Sequence, residues 1–200
     1  MLFEGFIHDL KNLLPWVHIK SEQSSLRGII EQRRRIYPAE SAAEDSKRIV
    51  ERIESLEVFR KARTVMIYYP LRHEVDLRDL MRRYKDEKTI LLPVTHRRSM
   101  EVRQYTGDEN LKRGRHRIPE PQTKTYKGSI DIIICPGVVF DKHKHRIGRG
   151  GGYYDKFLKK HPLATKIGVC FDLQLRNRDI PQQRFDHPMS MVVTPTQTIE

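Results

Sequence analysis

Short apolar runs alternate with helix-like segments along this 200-residue chain. The strongest run, SIDIIICPG at 129–137, is almost continuously apolar, which is typical of a parallel strand buried on both faces. The patterns predict further strands at 64–70, 89–94, 100–105, 166–172 and 189–194, and helices at 21–37, 41–56, 75–84 and 153–161. The second helix is expected to begin in a capping box formed by Ser41 and Glu44. This alternation predicts an α/β fold, a three-layer, Rossmann-like domain with a largely parallel sheet flanked by helices.

The length and the cysteine usage bound the domain organisation. We expect residues 21–200 to form a single domain, preceded by an amino-terminal extension, 1–20, of unknown role. No stretch approaches the roughly 20 apolar residues that a membrane span needs, so no membrane partner is expected. Cys135 and Cys170 lie within apolar runs. They are interpreted as reduced core residues, which favours a cytoplasmic protein over a disulfide-stapled secreted one.

The net charge of +12 indicates a polyanionic partner. Nucleic acid is one candidate, and a small polyanionic substrate such as a nucleotide or a polycarboxylate is the other. The basic residues are spread through predicted helices and loops. The densest run is EQRRRIY at 31–37, which a solvated helix face explains as well as a binding surface does.

A glycine cluster stands out within RIGRGGGYYDKFL, residues 146–158. Four of the chain's 11 glycines fall at 148–152, after a predicted strand and at the start of a predicted helix. Backbone N–H groups at such a position favour anions, and Arg146 and Arg149 add positive charge. The pattern matches neither G-x-x-x-x-G-K-[ST] nor G-x-G-x-x-G. Residue chemistry therefore favours a phosphate-binding loop over a structural glycine turn without excluding the turn.

The wider segment CPGVVFDKHKHRIGRGGGYYDKFL closely resembles the signature of the 5-formyltetrahydrofolate cyclo-ligase family, with Ile147 in place of the usual leucine. SSLRGIIEQRRR, YYPLRHEVDL and LKRGRHRIPEP resemble other segments of the family in the same order, so the resemblance runs from about residue 22 to 195. It implies an ATP-dependent ligase that converts 5-formyltetrahydrofolate, with or without a polyglutamyl tail, into 5,10-methenyltetrahydrofolate, with ADP and phosphate as the other products. It also implies a phosphorylated formyl intermediate and a magnesium ion. The enzyme is expected to be a monomer.

Residue roles carry over from the resemblance position by position. Tyr153 and Arg149 are expected at the reacting centre as catalytic residues. The expected ATP-binding residues are Gln23, Arg27, Arg146, Ile147, Gly148, Arg149, Gly150, Gly151, Gly152, Tyr153 and Tyr154. The expected folate-binding residues are Tyr69, Glu74, Arg149, Gly150, Gly151, Gly152 and Tyr153. Asp155 and Asp186 are the expected magnesium ligands.

Two positions depart from the family pattern, which often has a basic residue at Gln23 and an aspartate at Ser190. Other interpretations remain beside the enzyme. A basic nucleic-acid-binding module on the same fold is the main alternative, although the intact glycine loop argues against it. A generic nucleotide-dependent kinase would be expected to have a Walker lysine, which this loop lacks.

Overall fold

A seven-stranded sheet forms the centre of the computed structural model, which describes residues 15–97, 99–114 and 117–200. Within these ranges the helices are α1 (Pro15–Arg35), α2 (Ala39–Ser55), α3 (Glu57–Lys61), α4 (Arg78–Tyr84) and α5 (Tyr153–Leu158). The first six strands are β1 (Thr64–Met66), β2 (Thr89–Thr95), β3 (Met100–Gln104), β4 (Leu111–Arg113), β5 (Pro119–Pro121) and β6 (Ile132–Pro136). The others are β7 (Val139–Asp141), β8 (Arg146–Ile147), β9 (Thr165–Val169), β10 (Leu175–Arg176), β11 (Met191–Val193) and β12 (Thr198–Ile199).

The strand order of the large sheet is β12-β11-β9-β6-β1-β2-β3. The five inner strands are all parallel to one another, whereas β3 and β12 pair antiparallel at the two edges. Two small sheets accompany it, β10-β7-β8 and β4-β5. The expected mostly parallel sheet is therefore confirmed.

Both faces of the sheet are covered. In β6, Ile132 and Ile134 pack into a cluster that includes the buried residues of α2, α3 and α4, while Ile133 and Cys135 pack on the other side with Phe157 of α5. Side chains alternate between faces along a strand, so a run that is apolar at every position must be buried on both. This explains why β6 carries apolar residues on both faces, and it confirms the three-layer α/β fold.

Helix α1 lies on the small β10-β7-β8 sheet. Ile30 is buried there against Val138, Val139 and Ile147, together with Ile180 from a later loop. The contact is important for the site because β8 leads directly into the glycine cluster. One face of α1 is thereby held close to that loop.

Several predicted boundaries differ from the structure. Helix α2 begins at Ala39 after the N-cap residue Pro38, with no side-chain cap. Ser41 already lies inside the helix, so the capping box expected there is wrong. Strand β1 ends at Met66 rather than residue 70. Helix α4 begins at Arg78 rather than 75, because Asp76 turns the chain there by accepting a bond from the Arg78 amide.

The predicted amino-terminal extension falls partly outside the described residues. Helix α1 already includes residues 15–20, whereas 1–14 are not described. Within the part of the chain that is described, no helix is long and apolar enough to cross a membrane.

Candidate active site

The sheet order creates a crevice between β1 and β6. From β1 the chain proceeds to β2 on one side, and from β6 it proceeds to β9 on the other. The loops that leave the carboxyl ends of two such strands diverge, and ligands of open α/β sheets bind in the gap between them. Glu74 follows β1, and the glycine cluster follows β6 through the β7–β8 hairpin. The topology alone thus brings the two predicted ligand segments to the same edge.

A narrow cleft lies at this edge. Residues after β1, at the end of β6, after β9 and on α1 line it: Tyr68, Glu74, Val75, Pro136, Gly137, Val169, Gln174 and Arg34. A larger open groove of about 370 Å³ lies beside β4 and β5 and is lined by Thr106, Glu109, Asn110, Lys112, Gln122 and Thr123. It shares no lining residue with the cleft and contains none of the predicted site residues. We therefore place the candidate site at the cleft.

The glycine loop, residues 148–152, depends on backbone freedom at two positions. Gly150 has φ +93° and Gly152 has φ +65°, in the left-handed region that side chains avoid. Gly152 immediately precedes helix α5. That helix has only six residues rather than the predicted nine or so, so its dipole is weak, and backbone amides of the loop are the main donors available to an anion.

Arg27 joins helix α1 to the glycine loop. Its Nε donates to the Gly148 carbonyl at 2.7 Å, and its Nη2 donates to Gln23 Oε1 at 3.0 Å. Of the predicted ATP-binding pair, Arg27 contacts the predicted loop directly, and Gln23 is linked to it only through Arg27. The Arg27 side chain remains partly exposed, so its guanidinium can also contact a phosphate.

Gln23 is buried and already has several partners within the chain. Its Nε2 donates to the Pro181 carbonyl at 2.9 Å and to Asp186 Oδ2 at 3.2 Å, and its Oε1 also accepts from Gln183 Nε2 at 2.7 Å. This glutamine stands where the family often has a basic residue. Here it ties α1 to the loop that carries Asp186.

Arg146 forms the floor of the glycine loop. Its side chain is buried, donates to Asp155 Oδ1 at 2.7 Å, and lies 5.6 Å from the Tyr154 ring centre. Among the described residues, Arg146 Nε and the Tyr154 hydroxyl are buried without a hydrogen-bond partner. Burial, reinforced by the charges of Cys135 and Glu74, raises the pKa of Tyr154 well above its usual value. Two unsatisfied donors therefore lie directly beneath the loop.

Glu74 and Arg149 connect the two predicted ligand segments. Arg149 Nη2 and Nε both donate to Glu74 Oε1, at 2.9 and 3.2 Å. The Glu74 side chain is 8% exposed, whereas that of Arg149 is 50% exposed. The second carboxylate oxygen of Glu74 accepts from the Leu71 amide at 2.9 Å. The carboxylate is fixed by its own turn, and Arg149 is the partner that can leave.

The two predicted tyrosines beside this pair differ in their surroundings. The Tyr153 hydroxyl donates to the carbonyls of His96 and Arg97, at 3.1 and 3.2 Å, just after β2. Tyr69 is half-buried against the core. Tyr153 therefore spans the mouth of the site from the glycine loop to β2, while Tyr69 lies on the core side.

The predicted metal ligands occupy separate hydrogen-bond networks. Asp155 pairs with Arg146, and Asp186 Oδ2 accepts from Gln23 and from the Gln183 amide at 2.8 Å. Within the described residues only one oxygen of each carboxylate is used, so each retains an oxygen donor of the kind that Mg²⁺ prefers. No cluster of three acidic, histidine or cysteine side chains suited to a metal occurs among those residues. The donor chemistry of the two carboxylates is the kind that suits a magnesium ion whose other ligands are ATP phosphates and water.

Ser190, where the family often has an aspartate, has a structural role. Its amide donates to the Lys166 carbonyl at 2.7 Å, and its hydroxyl accepts from the Lys166 amide at 3.0 Å. Both bonds extend the pairing of β11 with β9. The amide and the hydroxyl of Ser190 are therefore both used in hydrogen bonds of the sheet.

Sequence reasoning missed Arg34 and Gln174. Arg34 is 4% exposed although it lies in the run that a solvated helix face explained equally well. Gln174 is buried and donates to the carbonyls of Gly137 and Val138 at the cleft wall. A signal for Arg34 was present, because Gln23, Arg27, Ile30 and Arg34 follow the spacing of a single helix face. Nothing in the sequence around Gln174 distinguishes it.

Comparison with known proteins bears on this site. The model of the 5-formyltetrahydrofolate cyclo-ligase family matches residues 19–195. This chain belongs to that family. The 5-formyltetrahydrofolate cyclo-ligase of Escherichia coli (strain K12) is 29% identical over 182 residues, which cover 86% of this chain and 100% of the relative. That of Mus musculus is 26% identical over 189 residues, covering 82% of this chain and 92% of the relative.

A solved structure gives the same result. The 5,10-methenyltetrahydrofolate synthetase of Aquifex aeolicus matches with a TM-score of 0.80 at 30% identity, covering 88% of this chain and 91% of that one. The resemblance to the cyclo-ligase family and the prediction of a ligase are confirmed. Nothing in these comparisons supports the alternative of a nucleic-acid-binding module.

Proposed function

We propose that this cyclo-ligase family member converts 5-formyltetrahydrofolate and ATP into 5,10-methenyltetrahydrofolate, ADP and phosphate. The observation that carries the proposal is the contact between Glu74, on the turn after β1, and Arg149 of the glycine loop. It brings a carboxylate suited to a pterin and a cationic loop suited to phosphates together at the β1–β6 crevice. Membership of the family and the activity for which its relatives are named supply the substrate and the product class.

The chemistry needs no nucleophile from the protein. The formyl oxygen attacks the γ-phosphorus of ATP, the bond to ADP breaks, and a phosphorylated formyl intermediate forms. The folate nitrogen N10 then attacks the formyl carbon and loses its proton, and the original formyl oxygen leaves with the phosphate. Catalysis of phosphoryl transfer is mostly positioning and charge neutralisation, which a loop of backbone amides and arginines provides.

The ATP end would be formed by the glycine loop and the facing surface of α1. The amides of Gly148 to Gly152 would hold the phosphates, and Arg27, already on the Gly148 carbonyl, would add charge from the helix. Arg146 is buried beneath the loop, and its positive charge would stabilise the bound phosphates electrostatically. Gln23 would act by orienting Arg27, and Tyr154 by packing its ring under the loop.

The folate end would be formed by the turn after β1 and the mouth of the cleft. Glu74 would accept hydrogen bonds from the pterin amino group and ring N–H, with Tyr69 beside it. Tyr153, which already spans the mouth to His96 and Arg97, would close over the reacting formyl group.

Arg149 would change partners when the substrates bind. A pterin that bonds to Glu74 replaces Arg149 there, and the released guanidinium, half exposed in the ion pair, can turn toward the transferring phosphoryl group. The exchange gives Arg149 a catalytic role. It also predicts that each substrate promotes the binding of the other, because coupling between sites is reciprocal.

Magnesium would be held by Asp155, with Asp186 as the second carboxylate. When bound with ATP, the ion would neutralise phosphate charge. The chain's own contribution is to orient these carboxylates through Arg146 on one side and through Gln23 and Gln183 on the other.

We further propose that the enzyme is a cytoplasmic monomer and that its positive charge serves ATP and the glutamyl tail of folate, of whatever length. Both cysteines of the chain are free and buried, which fits a reducing compartment. A net charge of +12 favours polyanionic substrates.

The test is absorbance of the methenyl product after the protein is mixed with 5-formyltetrahydrofolate, ATP and magnesium. Product is expected only when ATP and a divalent metal are both present, with one phosphate released per turnover. Nucleic acid added at physiological salt should not inhibit. Product without ATP, or a folded protein that makes none, would refute the proposal.

A further inference from the structure

Arg34 is a buried cation that the proposed mechanism does not use. It lies on the same face of α1 as Gln23, Arg27 and Ile30, and only 4% of the residue is exposed. Burying an arginine is costly unless its donors are satisfied. The groups that accept hydrogen bonds from the Arg34 guanidinium therefore indicate what the residue does.

The partner of Arg34 is a strained turn. Both Nε, at 2.7 Å, and Nη2 donate to the carbonyl of His73. His73 has φ +65°, a left-handed conformation that is uncommon in residues other than glycine. Such a conformation persists only where the surroundings impose it. The paired donation from Arg34 is a constraint of this kind.

The strained residue immediately precedes Glu74. The turn is closed by the Glu74 amide, which donates to the Leu71 carbonyl at 3.0 Å, and by the Leu71 amide, which donates to Glu74 Oε2. The direction of the Glu74 carboxylate therefore depends on the peptide that Arg34 holds. Glycine at position 73 would avoid the strain, but the chain has histidine there.

We propose that Arg34 is a positioning residue for folate binding, which fixes the His73–Glu74 turn so that the Glu74 carboxylate points into the cleft. This inference rests on the proposed role of Glu74. Arg34 also lines the cleft itself, so the constraint is applied at the binding site.

The charges around Glu74 support the same assignment. Burial lowers the pKa of Arg34, and the charge of Glu74 opposes that shift, so the two groups interact across the cleft. Glu74 thus faces two cations of different character. Arg149 is half exposed and can be displaced, whereas Arg34 is buried and fixed. When a pterin displaces Arg149, Arg34 continues to hold the turn in place.

The experiment compares steady-state kinetics of Arg34→Ala and Arg34→Lys with Arg33→Ala and Arg35→Ala. The two control residues are exposed neighbours on the same helix and carry the same charge. Arg34→Ala should raise the KM for 5-formyltetrahydrofolate about tenfold, as expected for losing a charged hydrogen bond, while kcat and the KM for ATP change less than twofold. Arg34→Lys should recover part of the loss, and the controls should match the parent protein.

A double variant separates positioning from simple destabilisation. Glycine adopts φ +65° without strain, so Arg34→Ala/His73→Gly should bring the folate KM back to within about threefold of the parent. A purely structural role predicts no such rescue. Equal rises in both KM values, an unchanged folate KM in Arg34→Ala, or no rescue by His73→Gly would each overturn the inference.

The outcome is distinguishable from failure of the proposed function. If Arg34→Ala does not fold, Arg34→Lys and His73→Gly alone still test the KM for folate. An active parent protein whose Glu74→Gln variant loses folate binding, but whose Arg34 variants do not, contradicts only this inference. An inactive parent protein contradicts the proposed function itself.

Discussion

The glycine loop and the Glu74 turn both require a left-handed backbone conformation, but they achieve it with different residues. Both contain left-handed backbone, with φ of +93° and +65° at Gly150 and Gly152 and +65° at His73, and the Arg149–Glu74 contact joins them. The loop uses glycine, for which the conformation is accessible at little cost. The turn uses histidine and imposes the conformation from outside, through Arg34 on a distant helix.

The difference explains what each segment can do. A glycine loop leaves its amides uncovered by side chains, so it suits phosphates, which make several backbone contacts. The Glu74 turn presents one fixed carboxylate, already tied to Leu71, which suits the hydrogen bonds of a flat heterocycle. The loop can adapt to its ligand, whereas the turn is preorganised.

The largest effect is expected at the anchor of the hairpin that leads into the glycine loop. Asp141 is fully buried and accepts from the amides of His143 and His145, the His145 ring and the Ile180 amide, at 2.9 to 3.1 Å. Asp141→Asn replaces one acceptor oxygen with an NH₂ group, which would face the N–H donors that the carboxylate now binds. The substitution should therefore lower the free energy of unfolding by about 3 kcal/mol. Thermal or urea unfolding measures this.

The Asp141 contribution should also depend on pH. Burial acts to raise the pKa of Asp141, but the hydrogen bonds from Ile180 and His145 outweigh it, and the folded pKa is lowered. Because the pKa of Asp141 is lower in the folded protein, its ionised carboxylate contributes its full stabilisation at pH values above the unfolded pKa of about 3.9. This contribution is lost as the pH falls through the pKa of the folded protein. The stability gap between the parent protein and Asp141→Asn should therefore shrink between about pH 5 and pH 3. A gap that is constant or widens in acid contradicts this account.

An intermediate effect is expected from alanine in the glycine loop. A Cβ at Gly150 would have room, since the closest described atom is Arg27 Cζ at 3.9 Å, so the cost is conformational. Left-handed alanine costs about 1–2 kcal/mol, which corresponds to roughly a tenfold fall in kcat/KM for ATP.

Gly28→Ala is the matched control for Gly150→Ala. Gly28 lies on the exposed face of α1, and no described atom is within 4 Å of the position that an alanine methyl would take. Alanine there should raise stability by about 0.5–1 kcal/mol and leave activity unchanged. Full activity in Gly150→Ala would show that the loop does not need its left-handed backbone.

The smallest effect is expected beneath the loop. Because the Tyr154 hydroxyl is buried without a partner among the described residues, Tyr154→Phe removes a desolvated group and should change stability by no more than about 1 kcal/mol, in the stabilising direction. Tyr153→Phe, which loses its bonds to His96 and Arg97, is the contrasting variant. A clear rise in the ATP KM of Tyr154→Phe would mean that the hydroxyl finds its partner on the nucleotide.

The sequence predicted the loop better than the turn for a physical reason. Glycine density is visible in the letters, and near-continuous apolar runs such as that of β6 indicate a sheet covered on both faces. These features indicated the fold class, and the family resemblance supplied the candidate residues. Short strands such as β7, β8 and β10 escaped prediction because two or three residues carry no periodicity.

The support of the Glu74 turn depends on contacts that are far apart in sequence. Arg34 and His73 are separated by 39 positions, and Gln23 and Asp186 by 163. Such pairs are set by how α1 packs on the small sheet, which local patterns do not encode. The exposed and the buried arginines of EQRRR are the same residue type, and they differ only in the face of the helix on which they lie.

The central claim is that the two segments bind different ligands. Calorimetric titration of Arg27→Ala and Glu74→Gln, each with ATP–magnesium and with 5-formyltetrahydrofolate separately, tests it most directly. Glu74→Gln should lose about 2–4 kcal/mol of folate binding and keep ATP affinity, because Arg149 is released rather than removed. Arg27→Ala should lose about 1.5–3 kcal/mol of ATP binding and keep folate affinity. Equal losses for both ligands in either variant, or an unchanged folate affinity in Glu74→Gln, would contradict the account.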